Sequence, residues 1–190
     1  MSATAITSQQ MTLEEYLEFD ANAEGRYEYF DGEVFELSGV SANHAEIESN
    51  LITMLKTKLS PRGCKIYPAN LGLKVPALPP FRYPDLSALC ELPIFEDIGG
   101  LQRLVNPTLI VEVLSPSTEA FDRGEKFKAY KSIESLREYL LVSQQKKFVT
   151  LYTKHNERFW FQSEYEAGET LKLESLDCEL SVDEIYQGVL

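Results

Sequence analysis

The sequence is short of cysteine, of positive charge and of long apolar runs, and each shortage closes off a class of protein. Its three cysteines, Cys64, Cys90 and Cys178, are odd in number and widely separated, with no Cys-x-x-Cys pair. That pattern argues against a disulfide framework and against a zinc site, and predicts three plain buried thiols. The longest apolar stretches, such as Leu109 to Leu114, fall far short of the ~20 residues of a membrane helix. The start of the chain has no basic region followed by an apolar run, so the expectation is a protein without a signal peptide that stays in the cytoplasm. Lys and Arg number 18 against 30 Asp and Glu, a net charge of −12. This weighs against a broad basic face for gripping phosphates without excluding a local one. Any such contact must be local and sensitive to salt. No internal repeat, low-complexity tract, zinc module or helix-turn-helix signature occurs.

What remains is ordinary globular composition, with 44% hydrophobic and 25% charged residues in 190. That length suits one domain with a real core. The first ten residues, MSATAITSQQ, are small and polar without periodicity. They predict a flexible N-terminus over 1–10 and a single domain over 11–190.

Thr12-Leu13-Glu14-Glu15 fits a capping box and starts a short helix running to about Phe19. Arg26-Tyr-Glu-Tyr-Phe-Asp-Gly-Glu-Val-Phe-Glu-Leu37 reads as a β-hairpin around Asp31-Gly32, which tolerates a type I′ turn. Ser41 caps a helix over Ala42 to Leu59, whose Ile47, Leu51, Met54, Leu55 and Leu59 form one stripe. Pro61 and Gly63 stop it. Lys65 to Tyr67, Leu71 to Val75 and Arg82 to Leu89 are short strand candidates. Pro107 to Leu114 is nearly continuous and apolar, so it belongs at the centre of a sheet covered on both faces. A helix over Glu119 to Ile133 follows, then strands over Glu138 to Val142, Phe148 to Tyr152 and Arg158 to Phe161. Ser181-Val-Asp-Glu184 caps a terminal helix. The order gives an α/β fold on the α+β border: a central mixed sheet flanked by helices, with an N-terminal helix and hairpin.

The chemistry begins with Glu112, which interrupts the apolar strand. A lone buried carboxylate costs several kcal/mol, so it needs a partner, a proton or a metal. Lys126 and Arg137 are ion-pair candidates. Asp85 lies in a second strand-like run, just after Pro84, and suits either a turn role or a ligand. Two acids on neighbouring strands can converge as a hard cation requires. In the next helix Asp122, Lys126 and Tyr130 are four apart and share a face. Arg123, Lys126, Lys128 and Lys131 outnumber Asp122 and Glu125 there, a mildly basic stretch in an acidic chain. It reads either as a solvated helix with an Asp122–Lys126 pair or as a phosphate-facing patch.

Tyr83-Pro84-Asp85-Leu86, Val111-Glu112-Val113-Leu114-Ser115-Pro116-Ser117, Asp122-Arg-Gly-Glu-Lys126-Phe-Lys-Ala-Tyr130 and Leu136-Arg-Glu-Tyr-Leu-Leu-Val142 together resemble the Uma-type restriction-endonuclease family of the PD-(D/E)xK nuclease superfamily. The early Leu-Glu-Glu-Tyr helix, the Tyr27-to-Glu33 segment and His44 match as well. The resemblance spans about Met11 to Val189. It implies a restriction-endonuclease-like core and a metal-dependent endonuclease, with Asp85 and Glu112 as ligands of Mg²⁺, for which Mn²⁺ can substitute. It further implies nucleic acid, DNA first, as partner, and a homodimer. The superfamily lysine two residues after the glutamate is replaced by Leu114, and Lys126 on the following helix is its match. Glu28 and His44 complete the candidate catalytic set: Glu28 as a further acid, His44 as a base or phosphate contact. His155, in a predicted hairpin loop, receives no role.

Two rival readings stand beside this one. A nuclease fold that has lost turnover serves as a nucleic-acid-binding or protein-interaction module. A structural homodimer uses Phe159, Trp160 and Phe161 at its interface, unless these are core.

Overall fold

The computed structural model describes residues 10–25, 27–30, 32–36, 39–76 and 80–189. The expected flexible N-terminus, apart from Gln10, and Asp31 of the hairpin turn lie outside them.

Helix α1 (Leu13–Asn22) starts at the expected capping box: Thr12 accepts from the Glu15 amide and Glu15 answers to the Thr12 amide. Strands β1 (Tyr27–Phe30) and β2 (Glu33–Glu36) pair antiparallel, ending on Phe30 opposite Glu33. Gly32 in the two-residue turn has φ of +87°, the left-handed value such a turn requires. Helix α2 (Ala42–Leu59) is capped by Ser41 and buries Ile47, Leu51, Leu55 and Leu59 at every fourth position.

Six strands form the main sheet in the order β12-β11-β10-β9-β6-β3. They are β3 (Lys65–Pro68), β6 (Leu86–Leu89), β9 (Leu109–Leu114), β10 (Glu138–Ser143), β11 (Phe148–Lys154) and β12 (Trp160–Glu166). As its apolar run demanded, β9 is central and buried throughout. It pairs parallel with β10 and antiparallel with β6. Its side chains alternate between two cores. Leu109, Val111 and Val113 pack with the α2 stripe. Ile110 and Leu114 pack with Phe127 and Tyr130 on the opposite face. Glu112 falls on this second face.

The expected single strand over Arg82 to Leu89 is in fact two. Phe81–Arg82 is β5 of a smaller sheet, ordered β5-β4-β8-β7, with β4 (Leu73–Lys74), β7 (Phe95–Ile98) and β8 (Leu101–Leu104). Tyr83, Pro84 and Asp85 cross from that sheet to β6. Proline, which cannot donate to a ladder, marks the break. The β7–β8 hairpin turns on Gly99 and Gly100, with φ of +65° and +80°. A second small hairpin, β13 (Thr170–Leu173) with β14 (Cys178–Ser181), precedes α5 (Val182–Ile185).

The cysteine expectation is overturned. Cys64 and Cys90 form a disulfide, and Cys178 alone is a buried thiol. The reason is register. Lys65 stands opposite Leu89 in the antiparallel β3–β6 pair. The next step outward therefore sets Cys64 against Cys90, with Cα atoms 3.9 Å apart. A separation of 26 residues in sequence conceals this contact.

The smaller sheet, α1 and the β1–β2 hairpin share a third core of Tyr16, Val34, Phe81 and Tyr83. An ion pair is buried against it. Arg103 of β8 donates to Asp20 at 2.6 Å, and its guanidinium lies over the Phe81 ring at 4.1 Å. The Tyr83 hydroxyl also donates to Asp20. Removing one partner of such a pair strands the other charge away from water. Asp20→Ala should lower the unfolding free energy by about 3–5 kcal/mol, measured by urea denaturation. Asp20→Leu combined with Arg103→Met should recover most of that loss.

Candidate active site

Glu112, Asp85 and Lys126 arrive from three different elements. The antiparallel register of β6 and β9 sets Leu86 against Val111, so Asp85, one residue earlier, stands beside Glu112. The Asp85 carboxylate accepts the Val113 amide at 2.6 Å. It thus takes a backbone donor that a continuing β6 strand leaves free. After β9 the chain turns through Ser115 to Thr118. It then enters α3 (Glu119–Phe121), a π turn (Asp122–Lys126) and α4 (Phe127–Tyr130). This segment replaces the regular helix expected over Glu119 to Ile133. It lies over the Glu112 face of the sheet.

There Lys126 Nζ sits 2.9 Å from Glu112 Oε1, and 3.6 Å from both Glu28 Oε1 and Asp122 Oδ1. Tyr130 donates its hydroxyl to the same Glu112 oxygen at 2.9 Å. Glu28, on β1, also accepts weakly from the Tyr83 amide at 3.4 Å. His44, in the first turn of α2, brings Nε2 to 3.3 Å from Asp85 Oδ1. That distance allows ionic attraction, but Nε2 makes no hydrogen bond among the described residues.

All five residues singled out in the sequence therefore meet in one place. Two more join them, Asp122 and Tyr130. Their four-residue spacing around Lys126 was the signal. Glu112 pairs with Lys126, whereas Arg137 donates to the carbonyls of Glu134 and Leu136 instead. Asp122 and Lys126 are 3% and 5% exposed, so the expected pair is present but buried, while Gly124, Glu125, Lys128 and Lys131 form the exposed side of the stretch. Leu114 is buried in the apolar core beside them.

The electrostatics follow from burial and from charge imbalance. Three carboxylates lie within 4 Å of one ammonium, and Asp85 adds its charge from beside them. Burial drives Glu112 well above the ordinary carboxylate value; Lys126 opposes this, while Asp122 and Asp85 add to it. Asp122 is raised by burial against the pull of Lys126. Burial works to raise Asp85 too, but His44, Lys126 and the Val113 amide outweigh it and hold that carboxyl low. For Lys126, burial favours the neutral amine, yet Glu112, Glu28, Asp122 and Asp85 together keep it firmly protonated. The donor set is all oxygen and under-neutralised, which matches the chemistry of a hard divalent cation. Among the described residues no group of three or more His, Cys, Asp or Glu side chains is arranged to hold a metal ion.

A raised folded-state value means that the folded protein holds the Glu112 proton more tightly than the unfolded chain does. Stability is then lost as pH rises from 4.5, the ordinary glutamate value, through the higher folded one. Glu112→Gln should remove this loss. Its stability relative to the parent, read from urea midpoints, should grow steadily as pH rises above that value.

Comparison with known proteins identifies the family and the fold. Residues 13–183 match the family described as "Uma2: Putative restriction endonuclease". An uncharacterized protein of Synechocystis sp. (strain PCC 6803) is 36% identical over 180 residues, covering 95% of this chain and 93% of that one. A second uncharacterized protein of the same organism is 34% identical over 168 residues, covering 88% and 94%. A crystal structure from Anabaena variabilis, titled as a "putative nuclease belonging to DUF820", superposes with a TM-score of 0.74. It is 18% identical and covers 95% of this chain and 99% of its own, which establishes a shared fold.

Proposed function

Because the chain belongs to the family described as "Uma2: Putative restriction endonuclease", we propose that it is a metal-dependent endonuclease that hydrolyses phosphodiester bonds of DNA, with residues 11–190 acting as one domain. The observation that carries this reading is the position of Lys126. Its ammonium group, borne on a separate helical segment, lies 2.9 Å from Glu112 although Leu114 fills the usual lysine position on the strand.

Asp85 and Glu112 would hold the Mg²⁺ or Mn²⁺ ion, as carboxylate oxygens suit a hard cation. When bound, the ion supplies Lewis acidity toward the phosphate and lowers the pKa of a coordinated water. Around it, Lys126 contributes fixed positive charge where the phosphate gains negative charge. Tyr130 and Lys126 hold one Glu112 oxygen and so orient the carboxylate. His44, paired with Asp85 but with no hydrogen bond at Nε2, suits a phosphate contact or a proton transfer with water. Glu28 shares the charge of Lys126 from the β1–β2 hairpin.

The net charge of −12 favours a second reading, a nuclease fold that binds nucleic acid or protein without turnover. Self-association as a homodimer fits the β12 edge of the main sheet, where Phe159 and Phe161 are 62% and 59% exposed. Trp160, by contrast, packs on Phe127. No helix among the described residues is long and apolar enough to cross a membrane.

Purified protein incubated with Mg²⁺ or Mn²⁺ should cleave plasmid or single-stranded DNA, and chelation should stop it. Asp85→Ala and Glu112→Ala should abolish cleavage, and Lys126→Ala should slow it by roughly 10²–10³-fold. Cleavage that persists in either carboxylate variant would sink the assignment. Absence of cleavage together with absence of Mg²⁺ binding by calorimetry would favour the second reading.

A further inference from the structure

Glu119 to Tyr130 is not one regular helix, and the irregularity falls on the residues that meet Glu112. In an α-helix positions four apart drift by about 40°, so Asp122 and Tyr130 would stand about 80° apart. A π turn pairs residue i with i+5 and winds less per residue, which takes back the drift of the first step. The turn here spans Asp122–Lys126. Asp122 lies 3.6 Å from Lys126, and Lys126 and Tyr130 both reach the same Glu112 oxygen at 2.9 Å.

Such turns are rare, so something must favour this one over the α register. Tyr139 of β10 donates its hydroxyl to the Asp122 carbonyl at 3.0 Å, at the head of the turn. Tyr139 is fully buried. Its ring is stacked on Phe127 with centroids 4.9 Å apart, on a strand hydrogen-bonded to β9. The phenol is thus carried by the sheet that bears Glu112, and its ring packs on the α4 side chains Phe127 and Tyr130.

We propose that Tyr139 is a positioning residue for Lys126: its hydroxyl holds the Asp122–Lys126 π turn, which lines up Asp122, Lys126 and Tyr130 on Glu112. Tyr139 acts through the Asp122 backbone and contacts no reacting group. Only the kinetic arm of its test rests on the endonuclease reading.

Tyr139→Phe keeps the ring and removes the donor. Loss of one buried hydrogen bond should speed amide exchange across residues 122–127 by roughly five- to tenfold, while the amides of α2 and β9 keep their rates. A crystal structure of the variant should show Lys126 displaced from Glu112. With active protein, kcat should fall while KM for a DNA substrate stays within roughly twofold. Tyr130→Phe removes a Glu112 contact without touching the turn, so exchange over 122–127 should not change. If Tyr139→Phe does not fold, deletion of Gly124, an exposed residue within the turn, tests the same point. It shortens the turn to α length and should likewise separate Lys126 from Glu112. Unchanged exchange in Tyr139→Phe, or a Lys126–Glu112 contact that survives in the folded variant, overturns the proposal. A parent protein without nuclease activity would count against the functional reading alone, because exchange and structure still decide the role of Tyr139.

Discussion

Lys126 holds together groups that would otherwise repel one another. Four carboxylates from β1, the β5–β6 crossing, β9 and the π turn gather within its reach or within reach of each other. Each would cost several kcal/mol if buried alone. One ammonium offsets part of that cost and leaves an excess of negative charge. This imbalance raises Glu112 and Asp122 and keeps Lys126 protonated. It also gives the site an attraction for cations that the acidic chain as a whole could not focus on any one point.

The surrounding structure serves to bring these groups from separate parts of the fold. The smaller sheet, α1 and the β1–β2 hairpin form a unit around Tyr16, Phe81 and Tyr83. That unit delivers Glu28 from one side and hands the chain through Tyr83 and Pro84 to Asp85 on the other. The Asp20–Arg103 pair braces the handover, because Tyr83 donates to Asp20 while its own amide meets Glu28. An ion pair outside the acidic cluster thus bears on where Glu28 and Asp85 stand.

Much of this was legible in the sequence, and the reasons differ from element to element. The capping box at Thr12, the Ser181 N-cap, the α2 stripe and the apolar β9 run are local patterns with local causes, so they read directly. Glu112 was legible because a charge in an apolar strand demands a partner. The four strands of the β7–β8 and β13–β14 hairpins were missed. β7 is largely exposed, and each of the four has only four residues, too short for a clear alternation, although Gly99-Gly100 marked the first of the two turns. The split of Arg82 to Leu89 into two sheets depends on tertiary pairing that a run of apolar residues does not specify. The Cys64–Cys90 bond depends likewise on the β3–β6 register. The π turn left only Gly124 as a trace, since its cause lies on another strand, in Tyr139.

The disulfide has a topological consequence for the site. It joins Cys64 to Cys90 and so closes the chain between them into a covalent ring. Tyr83, Pro84 and Asp85 all lie on that ring. If the backbone were cut anywhere between the two cysteines, the halves of the protein would stay joined through the disulfide, and the half that carries Asp85 could not leave the other. A break in the same stretch of a reduced chain would separate Glu28 and His44 from Glu112 and Lys126.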